Sequence, residues 1–134
     1  AAEAVVFFRP ELVGDFPFLQ KRAGQLLSKS RFISSQFAGY LKDGTWLRNA
    51  RQANAMAQRL SKGLAALPGI ELAYPTQSNE VFVSMPAVLI ERLSAQGLSV
   101  NDEELDGKAV RFVAAWNTPE SQVDDLLKVL ADHC

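Results

Sequence analysis

The run Lys108-Ala-Val-Arg-Phe-Val-Ala-Ala-Trp116, with Asn117-Thr-Pro-Glu120 behind it, constrains this chain more than any other stretch. Its β-branched and aromatic residues favour a strand, and Pro119 bars the strand from continuing as sheet. Alternation puts Val110, Phe112, Ala114 and Trp116 on one face and Arg111, Val113 and Ala115 on the other. Thr118 is expected to cap a following helix, with Pro119 in its first turn and Glu120 placed against the helix dipole. One arginine in an apolar strand demands an explanation. Either Arg111 holds an anion, because uncompensated burial of a guanidinium is costly, or it lies at a sheet edge and reaches solvent.

Upstream, helical spacing dominates. A helix is expected from about Asp15 to Leu27, on the apolar positions Phe18, Leu19, Ala23, Leu26 and Leu27, and a second from about Phe32 to Leu41. Asp43-Gly44 breaks the pattern. Thr45 then caps the longest helix, Trp46 to about Leu67, whose stripe is Trp46, Ala50, Ala53, Ala57, Leu60 and Leu64, widened by Leu47 and Met56. Pro68-Gly69 ends it. Short elements follow: strands at Ile70–Ala73, Asn79–Ser84 and Leu98–Val100, a helix from Pro86 to about Ala95, the strand at 109–116, and a last helix with Val123, Leu126, Leu127 and Leu130 inward. The reading is α+β, a small and mainly antiparallel sheet with helices on one face. Val5-Val-Phe-Phe8 reads as a further strand suited to burial on both faces but without an evident partner, as expected if the chain is a piece of something larger.

Composition excludes several functions. With a net charge of -1 and intermixed signs, the 134 residues lack the basic surface that nucleic acid or an anionic membrane would require. One histidine, His133, and one cysteine, Cys134, exclude histidine-cluster and cysteine-based metal sites and leave no disulfide framework. Asp102, Glu103, Glu104 and Asp106 lack the ligand spacing and central glycine of a calcium loop, so no metal is assigned. The scattered glycines form no phosphate-binding fingerprint, and no apolar run approaches a membrane span. What remains as candidate chemistry is cationic: Arg111, able to grip a carboxylate with two prongs, and Lys21, Lys29 and Arg31. Lys21 and Lys29 are spaced about two helical turns apart and would meet an anion from one side, although solvated lysines are the ordinary case.

Four stretches carry a family resemblance: Ala1-Ala-Glu-Ala-Val-Val-Phe-Phe8, Lys21-Arg-Ala-Gly-Gln-Leu-Leu-Ser-Lys29, Asn79-Glu-Val-Phe-Val83 and Val110-Arg-Phe-Val113. Together they resemble the C-terminal part of low-specificity L-threonine aldolases, pyridoxal-phosphate enzymes of the aspartate-aminotransferase fold. The resemblance covers essentially the whole chain. It implies a remnant strand of the large cofactor-binding domain and a helical linker over residues 1–44. The long bridging helix and small C-terminal domain then occupy residues 45–134. It also implies that the Schiff-base lysine lies upstream of Ala1, so that this chain by itself is inactive.

Carried over residue by residue, Arg111 takes the role of the arginine that binds the substrate α-carboxylate. Lys21 matches a lysine of the family, and Lys29 stands for a basic residue of the cofactor region. Some members have a Gly-Gly-Gly-Met-Arg-Gln run where this chain has Gly24-Gln-Leu-Leu-Ser-Lys29, so the basic position is shifted by a residue. The implied reaction is cleavage of L-threonine or L-allo-threonine to glycine and acetaldehyde. Its implied partners are an amino-acid substrate, the remainder of the parent chain and further subunits of a cytoplasmic dimer or tetramer. Two other readings stay open: the same region of another pyridoxal-phosphate lyase or aminotransferase, and a freestanding α+β ligand-binding module with no catalytic half.

Overall fold

Apolar residues three and four apart wind the middle of the chain into α3 (Thr45–Ala65), which buries Ala53, Met56, Ala57, Leu60, Ser61 and Leu64 along one stripe. The structure, a computed structural model, describes residues 2–95, 97 and 109–133. Its contacts divide the chain into two units, Ala1–Trp46 and Leu47–Cys134.

In the second unit the turn after α3 is fixed by Gly69, whose φ of +75° lies in the left-handed region that glycine alone enters at no steric cost. Three strands follow, β1 (Glu71–Leu72), β2 (Glu80–Ser84) and β3 (Val110–Val113), ordered β1-β2-β3 and antiparallel throughout. Among the described residues two helices join them, α4 (Ala87–Ala95) between β2 and β3 and α5 (Glu120–Ala131) after β3. Val81, Val83 and Val110 point from the sheet into a core shared with Met56, Leu60 and Leu64 of α3, Leu89 and Leu93 of α4, and Val123 and Leu130 of α5. All three helices therefore cover the same face of the sheet, the expected α+β arrangement. Each large apolar side chain buried there contributes about 1.5–3 kcal/mol.

Side chains hold the second unit together where backbone ladders end. Thr76 donates its hydroxyl hydrogen to the buried Ser61 Oγ at 2.9 Å, and Gln58 Nε2 donates to the Thr76 carbonyl. Arg59 of α3 forks onto Asp124 of α5, Nε to Oδ1 at 2.8 Å and Nη2 to Oδ2 at 2.9 Å, and lies 3.4 Å from Glu120. That hydrogen bond, with the adjacent charge, raises the Arg59 pKa and holds the Asp124 carboxyl below the usual carboxylate range.

The last strand is shorter than its sequence pattern. Alternation runs to Trp116, yet β3 stops at Val113 and Trp116 is 61% exposed rather than on the core face. A turn takes over because Ala115 donates its N–H to Thr118 Oγ1 at 2.9 Å while the Thr118 N–H returns to the Ala115 carbonyl at 3.1 Å. Thr118 thus latches the strand exit instead of capping α5. Pro119 takes the N-cap position, in extended conformation, and its carbonyl accepts from Gln122. Pro86 precedes α4, and its carbonyl accepts from the Leu89 N–H at 2.9 Å. The expected strand at Leu98–Val100 and the carboxylate loop at 102–106 lie outside the described residues.

The first unit holds a 3-10 turn (Pro10–Leu12), α1 (Phe16–Arg22), α2 (Arg31–Leu41) and a second 3-10 turn (Lys42–Gly44). Phe7 and Phe16 meet edge to face at 5.0 Å. Two expectations are corrected here. Val5–Phe8 forms no strand, because a strand needs a neighbour for its backbone hydrogen bonds and none of the described residues supplies one. Helix α1 stops at Arg22, five residues short of Leu27, because Gly24 at φ +73° closes it. The Gln25 N–H bonds the Gln20 carbonyl and the Gly24 N–H bonds the Lys21 carbonyl, the paired pattern of a glycine-terminated helix. No described residue from 2 to 46 is buried, although Val5, Val6, Phe8 and Phe18 are all apolar.

Candidate carboxylate-binding site

Arg111 lies where alternation along β3 puts it, on the face of the sheet turned away from the core. The β2–β3 register sets it directly opposite Phe82, with Glu80 opposite Val113. The guanidinium reaches diagonally across the ladder, placing Nη1 3.4 Å from Glu80 Oε1. Diagonal neighbours on one sheet face stand about 7–8 Å apart, within reach of long side chains. The Arg111 and Glu80 side chains are 28% and 36% exposed, so the pair is only partly bathed in solvent. Phe82 adds an apolar wall and is itself steadied by Tyr74, edge-on at 5.9 Å and 86°. An arginine on this face thus answers to an anion of the chain itself, an outcome the sequence left open.

The ladder that carries Arg111 is extended beyond its last paired residues by Asn79. The Ala114 N–H donates to the Asn79 carbonyl at 2.8 Å, and Asn79 Nδ2 donates to the Ala114 carbonyl at 2.9 Å. An amide side chain here stands in for a strand residue's backbone donor, keeping the β3 exit fixed three residues beyond Arg111. Chemically the site offers a strongly held positive charge with planar donors, a fit for a carboxylate, beside a resident carboxylate and an aromatic wall.

The two lysines singled out by sequence belong to the first unit and Arg111 to the second. Lys21 lies in the last turn of α1, and Lys29 lies in the turn before α2; both are exposed. They do not share one helix, because the Gly24 terminus separates them, so the expected two-turn spacing along a single face does not exist. Sequence reasoning did not single out Glu80. A carboxylate two positions before Phe82 in an alternating strand was the available signal, but only the register of β2 against β3 links it to Arg111. Among the described residues no group of three or more His, Cys, Asp or Glu side chains is placed to hold a metal ion. No helix among them is long and apolar enough to cross a membrane.

No protein-family model matches the chain. Individual proteins do. The low specificity L-threonine aldolase of a Pseudomonas species is 43% identical over 92% of this chain, and that of Pseudomonas aeruginosa 38% identical over 94%. The solved threonine aldolase of Leishmania major superposes with a TM-score of 0.75 at 28% identity, over 89% of this chain and 35% of that one. The chain spans 36% of the length of both Pseudomonas relatives.

Proposed function

By sequence over nearly its whole length and by fold, this chain is a relative of the low specificity L-threonine aldolases, and we propose that it is the substrate-carboxylate-binding part of such an enzyme. The whole protein would cleave L-threonine or L-allo-threonine to glycine and acetaldehyde. The 43% identity over 92% of the chain carries this reading. The setting of Arg111 on the sheet face turned away from the core supports the role given to that residue.

The chemistry of the chain fits pyridoxal phosphate as a cofactor of the whole protein. Lys21, Arg22, Lys29 and Arg31 are all exposed within one short segment and suit a phosphate dianion, with Lys21 and Lys29 the candidates to hold it. When bound, such a cofactor acts as the electron sink for carbon–carbon bond cleavage. The part assigned to this chain is binding and orientation. Arg111 would clamp the α-carboxylate, fixing rotation of the amino acid so that the bond to be broken is held in the reactive orientation. The exposed apolar residues Val5, Val6, Phe8 and Phe18 support packing of residues 2–46 against the remainder of a longer chain or a further subunit. In this reading the 134-residue chain on its own has no aldolase activity, since the lysine that binds the cofactor covalently is supplied by the remainder.

The test uses the full-length protein. Glycine and acetaldehyde released from L-threonine in the presence of pyridoxal phosphate support the assignment; amino transfer to a keto acid without aldehyde release rejects it. Arg111→Ala should lower kcat/KM for L-threonine by about ten- to a hundredfold, the worth of a charge-assisted contact, while cofactor stoichiometry stays near that of the parent. Equal loss of cofactor and of folding would mark Arg111 as structural.

A further inference from the structure

Polar side chains of α3 hold the segments that flank β2 and β3. In the loop before β2, Thr76 donates to the buried Ser61 Oγ, and Gln58 donates to the Thr76 carbonyl. In the turn after β3, Gln52 donates to the Thr118 carbonyl at 3.2 Å. These bonds fasten each segment to α3 without fastening one to the other. Asn79 does that. Its carbonyl accepts the Ala114 N–H at 2.8 Å, and its Nδ2 donates to the Ala114 carbonyl at 2.9 Å. Both backbone groups of Ala114 are thus engaged by one residue at the entry to β2.

The place of this clamp matters because β3 is only four residues long. Arg111 stands two residues before its end, paired with Phe82. A slip of one residue would turn Arg111 toward the core, since the faces of a strand alternate. The ends of elements are also where backbone pairing opens most readily. Asn79 closes that end with a side-chain bond specific to this register. Glu80 follows it directly in the chain, so the clamp fixes the backbones from which both Glu80 and Arg111 project.

Resting on the reading of Arg111 as the carboxylate-binding group, we propose that Asn79 is its positioning residue. The side-chain amide holds the register and the end of β3, and through them the point from which Arg111 meets a substrate carboxylate. A small displacement of a positioned group is enough to weaken an oriented contact. Because Asn79 acts through the arginine, its loss is felt by the carboxylate of a ligand and not by the rest of the molecule.

Full-length protein loaded with cofactor serves as the test, comparing the parent with Asn79→Ala, Arg111→Ala and the double variant. Calorimetric Kd values for glycine and for glycinamide, which lacks the carboxylate, give the carboxylate preference as a ratio. Asn79→Ala should reduce that preference by about fivefold, the worth of one hydrogen bond, with cofactor stoichiometry unchanged. Arg111→Ala should abolish the preference, and adding Asn79→Ala to it should change the ratio no further. If Asn79→Ala does not fold, Asn79→Leu, which keeps the volume without the donor, carries the same comparison. An unchanged preference in a folded Asn79 variant, with glycine and glycinamide affected alike, overturns the role of Asn79 and leaves that of Arg111 intact. A preference retained in Arg111→Ala overturns both.

Discussion

Gly63 of α3 and Leu127 of α5 pack with no room for a side chain between them: a Cβ placed on Gly63 would lie 2.3 Å from Leu127 Cδ1 and 3.0 Å from its Cγ. Rotation of the Leu127 tip relieves only part of that overlap, because Cγ is involved as well. Gly63→Ala should therefore destabilise the protein by about 1–3 kcal/mol through overpacking. This outweighs the roughly 1 kcal/mol that alanine gains over glycine in a helix interior. In a Leu127→Ala background the sign should reverse. Chemical denaturation of the two single variants and the double variant closes the cycle, and additive effects would show that the two residues do not share this space.

Gly24 is expected to be irreplaceable for a different reason. Its surroundings are open, with no atom within 4 Å of an added Cβ, but its φ of +73° is hostile to side chains. Gly24→Ala should cost about 1–2 kcal/mol locally, and Gly24→Asn less, since asparagine tolerates the left-handed region. Amide exchange at Gln25, whose N–H closes the α1 terminus on Gln20, reports the loss directly. Unchanged protection in the alanine variant would show that α1 ends for another reason.

Asn79 should be sensitive to the loss of its donor rather than to its size. Asn79→Ala leaves the Ala114 carbonyl without the side-chain partner and should cost about 1–2 kcal/mol. Asn79→Asp should cost more at neutral pH, because an ionised carboxylate has no hydrogen to donate to that carbonyl. Acidification should recover part of the difference as the aspartate gains its proton. Urea midpoints of the two variants at pH 7 and pH 4 provide the measurement.

The Arg59–Asp124 fork makes a prediction about acid. The folded pKa of Asp124 is depressed, chiefly by the hydrogen bond from Arg59, below an unfolded value of about 3.9. The unfolded chain therefore takes up a proton first, and the contribution of the pair is complete above that pH and lost as pH falls through the folded pKa. The Tm difference between the parent and Asp124→Asn should be constant from about pH 5 to 8 and should shrink below about pH 4. The pair is solvent-exposed, so the difference should be small and should diminish further in high salt. A difference that grew on acidification would contradict the assignment.

Some of this architecture was legible before any coordinates. The stripe from Ala53 to Leu64 and the Val123–Leu130 stripe are buried where helical spacing put them, because burial on a helix follows from sequence separations of three and four. The split of β3 into a core face bearing Val110 and a second face bearing Arg111 is likewise local, a consequence of pleating. The ends of elements were less legible. Thr118 carries the chemistry of a helix cap and that of a turn latch, and the choice depended on whether Ala115 came within reach. For α1, the signal was Gly24 itself, hidden inside an apolar pattern that continued to Leu27.

Sequence by itself thus determined the class of the fold, the periodicities, and the fact that Arg111 stands on the strand face opposite Val110. Only the tertiary structure decided the partners. Glu80 is 31 positions from Arg111, and Asp124 is 65 from Arg59. No spacing rule links such pairs, because strand register and helix packing bring them together. The same two residue types then behave differently. Arg59 forks onto Asp124 from one helix to another at 2.8 and 2.9 Å, whereas Arg111 reaches Glu80 diagonally across two strands at 3.4 Å.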